Sequence, residues 1–432
     1  MIFAPILLSA VLLASPVFSI PAATSAGEVK ADGLVANHVA SFSMNRPAMA
    51  FVETFPSTPD KHDLFISSFN ANPFSKGDSV YHITDVGRQL KRGQLTPTEI
   101  PPHVNWGNAV TMVPSEMFGQ EGVVVAGGFL VKGGGAIYFS ARNSDGSMGD
   151  MKTLFTDKKY FYHLALPYDV DQDGQMDLIS CRATKKGPSY ALVWLTPKDR
   201  SNPTGPWEEK VIAEQRGCDT FFRLEDLDGD GRPELIGALY WGKRLEVVST
   251  DSTGRFDDAS RLDFTVVESD IGPVYGLEFE DLNGDGKKEL LVTNHDPKSG
   301  SLYAYEYDPK AIKSPNSWTR RLIADGFKTV TGIFSFGAGA PGSPFVFYPK
   351  TSKNSGKPSI ALAGDDAQTA YVITPNSQSP TDWGYTKQNL HFCGNIAGRL
   401  AVADVDNDGY TEIFVPCFGG KTVHVYSFAP SH

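Results

Sequence analysis

The stretch RLEDLDGDGRPELIGALY, residues 223–240, joins a cluster of acidic residues to an apolar run. From Asp226 to Glu234 it forms a nine-residue loop with carboxylates at positions 1, 3, 5 and 9 and glycine at position 6. The LIGAL that follows is short and apolar and is bounded by turn residues, as expected for a buried β-strand. The stretch therefore predicts an acidic loop that leads directly into a strand.

The same pattern recurs three more times along the chain. The other copies begin at Asp169 (DVDQDGQMDLIS), Asp281 (DLNGDGKKELLV) and Asp404 (DVDNDGYTEIFV). Successive copies start 57, 55 and 123 residues apart, and 123 is close to two repeats, so one unit without an acidic loop is expected between the last two. Residues 357–376 fit that unit, and residues 51–69 and 109–128 continue the apolar pattern backwards, which makes seven units.

Within each unit the apolar runs are short and rich in β-branched and aromatic residues, as in YALVWLT and TVHVYSF, and no segment has a convincing helical period. About four such strands in a unit of roughly 40–60 residues are typical of a propeller blade. We therefore predict an all-β fold, a single seven-bladed β-propeller over residues 27–432 with about four antiparallel strands per blade. Only two strands follow the last acidic loop, so residues 34–47 are expected to supply the missing outer strand and close the ring.

The pattern D-[VL]-[DN]-x-D-G-x-x-[DE]-[LI] before a strand resembles the FG-GAP and VCBS-type repeats of β-propellers, as in integrin α-subunit heads and many secreted microbial proteins. Four units carry the motif and three share only the apolar pattern. The layout is also similar to the propeller part of fungal aldos-2-ulose dehydratases. Their large cupin part is absent here and their active-site residues cannot be aligned one by one, so this second resemblance implies only a class of activity, that of a lyase acting on sugars.

The acidic loops predict about four structural Ca²⁺ sites. Calcium takes six to eight oxygen ligands, alternate residues of a tight loop can point inward, and glycine permits the turn. Magnesium suits the loops less because it takes fewer protein ligands, and the EF-hand is excluded because its glutamate stands at position 12 before a helix. Four equivalent copies indicate a repeated structural role rather than one catalytic carboxylate pair. The predicted ligands are Asp169, Asp171, Asp173, Asp177, Asp226, Asp228, Asp230, Glu234, Asp281, Asn283, Asp285, Glu289, Asp404, Asp406, Asp408 and Glu412.

The net charge of the chain is −11, and the four loops hold more carboxylates than that excess of acidic residues. Calcium binding would therefore offset most of the net charge, and the acidic composition says little about partners. No basic stripe is present, so nucleic acid is not expected as a partner.

The chain begins MIFAPILLSAVLLASPVFS and has no charged residue before Glu28. This apolar run is short and leads into small residues, so we interpret residues 1–22 as a signal peptide, cleaved somewhere within 19–26, rather than as a membrane span. A secreted, extracellular protein without a membrane span is expected. In an exported chain, four cysteines favour disulfides over free buried thiols. Three pairings are possible, and we expect Cys181 with Cys218 and Cys393 with Cys417.

Function in a propeller is usually located in the loops around the central funnel. The residues before each first strand and those between second and third strands gather at the mouth opposite the acidic loops. The candidate catalytic residues there are His163, His103, Tyr275 and Arg182, and the candidate ligand-binding residues are Tyr240, Trp241, His295 and Asn395. Histidine suits acid–base catalysis, arginine suits a carboxylate, and aromatic rings suit a sugar face.

The sequence has no nucleophile motif and no phosphate-binding loop. We therefore interpret the chain as a secreted, calcium-stabilised propeller that acts as a lyase or dehydratase on a sugar or sugar acid through His and Tyr acid–base residues. One alternative is a non-catalytic propeller that binds a glycan or a protein, and a more distant one is a small-molecule cyclase of secondary metabolism. The expected partner is a carbohydrate or small molecule at the central funnel, or a protein. Any one of the loop histidines, taken alone, is also compatible with an ordinary surface residue.

Overall fold

The structure is a computed structural model that describes residues 28–69, 78–129, 134–184, 189–330 and 339–430. The predicted signal peptide, residues 1–22, and its cleavage region lie outside the described residues. The chain forms a seven-bladed β-propeller in which every blade is a four-stranded antiparallel sheet. This confirms the all-β fold and the count of seven blades.

The chain enters through a small hairpin, β1 (Lys30–Ala31) and β2 (Leu34–Val35), which is followed by β3 (Asn37–Ser43). Blade 1 consists of β4 (Pro47–Thr54), β5 (His62–Ser68), β6 (Asp78–Ile83) and β7 (Thr98–Val104). Blade 2 consists of β8 (Gly107–Val113), β9 (Gly122–Gly127), β10 (Gly135–Ala141) and β11 (Lys152–Asp157). Blade 3 consists of β12 (Phe161–Tyr168), β13 (Asp177–Ala183), β14 (Tyr190–Pro197) and β15 (Trp207–Glu214).

Blade 4 consists of β16 (Phe222–Glu225), β17 (Glu234–Leu239), β18 (Arg244–Ser249) and β19 (Asp263–Glu268). Blade 5 consists of β20 (Val274–Glu280), β21 (Glu289–Asn294), β22 (Gly300–Tyr307) and β23 (Trp318–Phe327). Blade 6 consists of β24 (Pro344–Phe347), β25 (Ser359–Leu362), β26 (Thr369–Pro375) and β27 (Tyr385–Phe392). Blade 7 takes β28 (Ala401–Ala403), β29 (Glu412–Cys417) and β30 (Thr422–Ser427) from the C-terminal part of the chain and β3 from the N-terminal part.

Within the described residues, helical structure is confined to short segments in the connections between strands. These are α1 (Val86–Lys91), α2 (Ser115–Phe118) and the 3-10 turns Ala259–Arg261, Pro309–Ala311 and Pro315–Ser317. None of the helices in the described part of the chain is long and apolar enough to cross a membrane.

The ring closes through β3, which pairs antiparallel with β30 from Asn37 opposite Ser427 to Ser43 opposite Thr422. This confirms the prediction that residues 34–47 supply the outer strand of the last blade. The side chain of Phe42 on β3 is buried in an apolar cluster that includes Val423 of blade 7 and Leu64 of blade 1. The two ends of the chain are therefore joined in one blade.

The second and third strands form the core of each blade. Every residue of β13 and β14 is buried, because these strands pack on neighbouring blades with both faces. In the opening stretch, LIGAL lies in the equivalent strand β17, and a Cβ atom on Gly237 would lie 1.7 Å from the backbone oxygen of Gly217. The glycine is thus needed where the connection from blade 3 crosses this strand.

The connections divide into two sets at opposite faces of the ring. The acidic loops 169–177, 226–234, 281–289 and 404–412 each join the first strand to the second, in blades 3, 4, 5 and 7. Blade 6 has strands at the predicted places, 359–362 and 369–375, without an acidic loop. The connections between second and third strands, and those between blades, lie at the other face, which we call the mouth.

Both disulfides form as predicted, between Cys181 and Cys218 and between Cys393 and Cys417, with Cα atoms 5.7 and 5.1 Å apart. Cys181 is in β13 and Cys417 ends β29, so each bond ties a second strand to an interblade connection. Each disulfide therefore fixes a connection that borders the mouth.

Closure by β3 predicts a clear difference between two side chains on that strand. Phe42→Ala should lower the free energy of unfolding by about 3–5 kcal/mol, because it removes a buried ring from the contact between blades 7 and 1. Val39→Ala on the same strand is the control, since Val39 is 47% exposed and should change stability by no more than about 0.5 kcal/mol. Urea unfolding measures both, and equal effects would contradict the closure role.

Candidate functional site

Seven ring side chains from blades 3, 4 and 5 form a closed ring of contacts at the mouth, which we call the aromatic collar. Each ring centroid lies 4.6–5.8 Å from the next. In order around the ring the members are Phe161, His163, Phe221, Tyr275, His295, Tyr240 and Trp241, and Trp241 returns to Phe161 at 5.7 Å. The collar gives the mouth a mainly apolar, aromatic wall.

The buried carboxylate of Asp219 holds two members of the collar in place. It accepts hydrogen bonds from the backbone N–H groups of Tyr240 (2.6 Å), Trp241 (2.9 Å) and Gly242 (3.0 Å). Three donors aimed at one carboxylate fix the turn after β17, and with it the direction of both aromatic side chains. Burial raises the pKa of Asp219 to about 7, against the opposing effect of these hydrogen bonds.

His163 lies within the collar as a neutral imidazole. Its ring is 4% exposed and lies 5.0–5.2 Å from the rings of Phe161, Phe129 and Phe221. Burial lowers the pKa of His163 to about 3. Its Nδ1 has no hydrogen-bond partner among the described residues, so this nitrogen is a buried polar atom in an apolar wall.

His295 presents one ring nitrogen to a neighbouring carboxylate. Its Nδ1 lies 2.8 Å from the backbone oxygen of Pro341, which can only accept, so Nδ1 carries the proton and Nε2 is an acceptor. Nε2 lies 3.9 Å from Oδ2 of Asp365. Burial lowers the pKa of His295, which keeps the imidazole neutral near pH 7.

Asp365 and Asp366 complete this side of the mouth, and sequence reasoning missed both. They lie between β25 and β26 of blade 6, at the place that Tyr240 and His295 occupy in blades 4 and 5, and this equivalence is the signal that could have identified them. Asp365 exchanges two backbone hydrogen bonds with Ala397, 3.0 and 3.1 Å long. Burial raises the pKa of Asp365 to about 7 and that of Asp366 to about 6. Both carboxyl groups therefore change protonation near neutral pH.

Arg399 supplies a positive charge in the part of the channel lined by first strands. It stands just before β28, and its guanidinium lies between the rings of Phe51 and Phe345, 4.2 and 4.7 Å from their centroids. Nη1 donates to the backbone oxygens of Ala50 and Leu400. Among the described residues Arg399 forms no salt bridge, and although burial lowers its pKa to about 10 it stays charged at neutral pH.

Five of the residues predicted from sequence meet in the collar: His163, Tyr275, Tyr240, Trp241 and His295. Asn395 lies apart from them, exposed in the connection between blades 6 and 7, where its Oδ1 accepts a hydrogen bond from the backbone N–H of Ile396. The pattern of strand ends was therefore sufficient to locate most of the mouth.

His103 and Arg182 were expected at the mouth, but both lie within strands. His103 is in β7, the outermost strand of blade 1, with Nδ1 3.1 Å from Oε1 of Glu99, because that strand runs on to Val104. Arg182 is buried in β13, where it pairs with Glu209 and, at 2.9 Å, with Glu214. Its charge is already neutralised, so Arg399 rather than Arg182 is the arginine available at the channel.

The acidic loops of blades 4, 5 and 7 share one geometry, in which the acid at position 9 accepts a hydrogen bond from the backbone N–H at position 2. In the loop of blade 3, Asp177 pairs with Arg200 at 2.7 Å instead. In the loop of blade 4, Asp226 accepts hydrogen bonds from the backbone N–H groups of Gly229 (2.8 Å), Asp230 (3.1 Å) and Gly231 (2.9 Å). Glu234 reaches back to the N–H of Leu227 at 2.9 Å. Position 1 thus orders the turn and position 9 closes it.

The oxygens of these loops converge. One ligand oxygen from each member of three sets lies within 4.8 Å of the others: Asp169, Asp171 and Asp177; Asp226, Asp228 and Asp230; and Asp404, Asp406 and Glu412. In the loop of blade 5, Nδ2 of Asn283 donates a hydrogen bond to Oε1 of Glu289 at 3.0 Å, and Oδ1 of Asn283 accepts one from the N–H of Asp285 at 2.8 Å. Oδ1 of Asp171 is buried without a hydrogen-bond partner among the described residues. An all-oxygen donor set with an unused buried oxygen fits a hard cation such as Ca²⁺.

Comparisons with known proteins bear on the repeat and the fold. Residues 226–310, which include the second and third acidic loops, match the model of the FG-GAP-like repeat family. No curated protein matches the chain.

Solved structures similar to the chain are distant. The PQQ-bound aldose sugar dehydrogenase from Streptomyces coelicolor is 13% identical, with a TM-score of 0.40 over 90% of this chain and 96% of that chain. The Dos1 propeller is 12% identical, with a TM-score of 0.45 over 92% of this chain and 96% of that chain. A putative oxidoreductase (glucose dehydrogenase) from Thermus thermophilus is 13% identical, with a TM-score of 0.38 over 75% of this chain and 96% of that chain. The strands therefore show a seven-bladed β-propeller, and residues 226–310 within it match the FG-GAP-like repeat.

Proposed function

We propose that the mouth binds an anionic sugar and removes water from it, which makes the protein a sugar-acid lyase or dehydratase. The observation that carries the proposal is the contact between His295 and Asp365 beside the aromatic collar. The contact places a neutral imidazole, which can accept a proton, beside a carboxyl group that titrates near pH 7. An elimination requires a base and an acid whose surroundings give them different pKa values, so that one is deprotonated while the other is protonated.

The walls of the mouth suit a sugar. Aromatic rings such as Tyr240 and Trp241 pack against the apolar C–H face of a pyranose, and carboxyl groups bind its hydroxyls. The guanidinium of Arg399 offers the forked donors that fit a carboxylate. The charge of Arg399 also acts on the collar, since it opposes the rise that burial causes in the pKa of Tyr275.

In the proposed step, Nε2 of His295 removes a proton from the carbon next to the sugar carboxylate, which Arg399 holds. The electron pair forms a carbon–carbon double bond, and the hydroxyl on the neighbouring carbon leaves with a proton from Asp365. The products are water and an unsaturated sugar acid. The proton on His295 then returns to Asp365, 3.9 Å away, and restores both groups.

A non-catalytic glycan-binding propeller is the second candidate. The burial of His163 among phenylalanine rings favours it, because that histidine serves there as part of an apolar wall. A protein that binds the same sugars without turnover would support this candidate.

We also propose that the acidic loops bind Ca²⁺ and that the protein acts outside the cell. The ligand oxygens of each loop come from one short segment, so a bound ion would tie the end of a first strand to the start of the second. Disulfides persist in oxidising compartments, and the two in this chain support export.

Calcium removal should destabilise the protein. EDTA is expected to lower the melting temperature by about 5 °C or more and Ca²⁺ to restore it, because only the folded loops gather the ligands. Asp226→Asn should reduce the calcium-dependent shift, whereas Asp150→Asn, an exposed acid outside the loops, should leave it unchanged. A melting temperature indifferent to EDTA would overturn the calcium assignment.

Arg399 should select acidic sugars over neutral ones. Calorimetric titration with uronic acids is expected to show about ten- to a hundredfold weaker binding in Arg399→Gln, while Arg88→Gln, an exposed arginine on α1, should bind as the wild type does. Arg399→Lys keeps the charge without the forked donors, and its affinity for uronic acids should be lower than that of the wild type and higher than that of Arg399→Gln. It replaces the glutamine variant if that variant does not fold. Equal affinity of the wild type for uronic acids and for the matching neutral sugars would contradict this role.

Asp365 should act as the proton donor. Asp365→Asn is expected to lower turnover about 10²–10⁴-fold with little change in binding, and Asp145→Asn, an exposed acid, should change neither. Wild-type turnover should fall as the pH rises through about 7, because the donor must be protonated. Ultraviolet absorbance of the unsaturated product measures the rate, and unchanged turnover in Asp365→Asn would exclude the step.

A measurement without substrate checks the same group. Since the pKa of Asp365 is raised in the folded state, the folded chain holds that proton more tightly than the unfolded chain, and this stabilisation is lost as the pH rises through about 7. The melting temperature of Asp365→Asn minus that of the wild type should therefore be larger at pH 8 than at pH 5. An equal difference at the two pH values would show that Asp365 is ionised without cost and would contradict the raised pKa.

A further inference from the structure

The acidic loop of blade 7, residues 404–412, lies beside blade 1, at the place where the ring closes. Nζ of Lys91, on α1 of blade 1, donates to the backbone oxygen of Asp406 at 2.5 Å and lies 3.9 Å from Oδ2 of the same residue. Nδ2 of Asn407 donates to the backbone oxygen of Asp60 at 3.1 Å. Two segments of blade 1 therefore hold the loop from one side.

The packing between α1 and the loop leaves no room for a side chain. A Cβ atom on Gly87 of α1 would lie 2.0 Å from the backbone oxygen of Val405, which is too close for any non-bonded pair of atoms. The side chain of Val405 is buried in the apolar cluster that also holds Phe42 of β3 and Leu64 of blade 1. Displacement of the loop would therefore disturb the packing of the closing strand.

Blade 6 holds the loop from the other side, through the connection between β24 and β25. Oγ1 of Thr351 donates to Oδ2 of Asp404 at 3.0 Å, and the backbone N–H of Thr351 donates to the backbone oxygen of Gly409 at 2.9 Å. The N–H of Thr411 donates to the backbone oxygen of Pro349 at 3.1 Å. The loop is thus bound to both neighbouring blades.

The predicted ligand at position 9 of this loop also contacts the strand pair that closes the ring. Oε1 of Glu412 accepts a hydrogen bond from the hydroxyl of Ser427 at 2.8 Å. Ser427 stands on β30 opposite Asn37, the first residue of β3. A predicted calcium ligand is therefore hydrogen-bonded to a residue of the closing strand pair.

We propose that the loop of blade 7 is a calcium-dependent lock on the ring: a cation bound there stabilises the pairing of β3 with β30 and the contact between blades 7 and 1. The inference rests on the proposed binding of Ca²⁺ by the acidic loops. Oxygens of Asp404, Asp406 and Glu412 lie within 4.8 Å of one another, so their negative charges repel unless a cation offsets them. Loss of the ion would relax the loop and weaken its contacts with Lys91, Ser427 and the apolar cluster together.

The loop of blade 4 supplies a matched control, because blade 4 lies between blades 3 and 5 and has no part in the closing strand pair. Asp228 takes the position in that loop that Asp406 takes in blade 7. Its Oδ1 accepts a hydrogen bond from the N–H of Asp230 at 3.1 Å, as Oδ1 of Asp406 does from Asp408 at 3.2 Å. An effect specific to ring closure should therefore appear in Asp406→Asn and be missing in Asp228→Asn.

Hydrogen exchange of the full chain, followed by mass spectrometry, tests the lock. In the wild type, removal of Ca²⁺ with EDTA should speed exchange in residues 37–43 and 86–91 by about tenfold or more. With Ca²⁺ present, Asp406→Asn should show most of the same increase in these segments, whereas Asp228→Asn should speed exchange only around its own loop. Each variant should bind one Ca²⁺ fewer than the wild type in a calorimetric titration.

The coupling between closure and Ca²⁺ binding should also act in the reverse direction, because linkage between two equilibria is reciprocal. Phe42→Ala weakens closure without touching a ligand, so it should weaken one of the Ca²⁺ sites by at least about fivefold. Val39→Ala, at an exposed position on the same strand, should leave every site unchanged. If Phe42→Ala does not fold, the two aspartate variants decide alone.

The outcomes separate the lock from the calcium assignment. Equal exchange of residues 37–43 in the two aspartate variants, with the acidic loops protected by Ca²⁺ in the wild type, would overturn the lock alone. Unchanged Ca²⁺ affinity in a folded Phe42→Ala variant would also overturn it. Acidic loops that Ca²⁺ does not protect in the wild type would overturn both proposals.

Discussion

The pairing of β3 with β30 is the constraint on which the rest of the structure depends. Each blade buries its two apolar faces only against its neighbours, so an open ring would expose two such faces and an unpaired strand edge. Strand β3, from the beginning of the chain, pairs with the free edge of β30 and completes the blade that covers these faces. The burial of Phe42 beside Val423 and Leu64 shows how the strand joins blade 7 to blade 1. The rings of Phe51 and Phe345 that flank Arg399 come from blades 1 and 6, so the surroundings of Arg399 depend on this closure.

The same residue type has different roles at the two faces. At one face, aspartates lie in the tight turns of the acidic loops, where backbone N–H groups order their oxygens around a space suited to a hard cation. At the mouth, Asp219 is also bound by backbone N–H groups but directs aromatic rings, whereas Asp365 has a half-buried carboxyl beside an imidazole. The spacing in the sequence distinguishes the aspartates of the acidic loops from those at the mouth. Only packing distinguishes Asp219 from Asp365.

Much of the fold was predictable because the acidic loop is repeated. Four copies fix the pitch of the units, the pitch fixes the number of blades, and the shortage of strands after the last copy requires a contribution from residues 34–47. The mouth was also predictable where a residue directly follows a second strand, as Tyr240 and His295 do. The reasoning failed where a strand runs a few residues further than its apolar pattern suggests. His103 lies inside β7 and faces Glu99 of the same strand, and Arg182 lies inside β13 and faces Glu209 of β15, two strands away in the same blade.

Asp365 and Arg399 could not be assigned from their local sequence, because their roles depend on contacts with distant parts of the chain. Backbone pairing with Ala397 holds Asp365, and rings from blades 1 and 6 enclose Arg399. Side chains that act together across blades are visible only after the ring has closed.

Backbone hydrogen exchange, followed by mass spectrometry with and without Ca²⁺ and with and without a uronic acid, tests the division of the two faces most directly. The structure predicts that Ca²⁺ slows exchange in loops 169–177, 226–234, 281–289 and 404–412. The uronic acid should slow exchange at the mouth, in segments 240–242, 295–296 and 363–368, and leave the loops unchanged. Protection of the acidic loops by the uronic acid, with no protection at the mouth, would contradict the assignment of calcium binding to one face and sugar binding to the other.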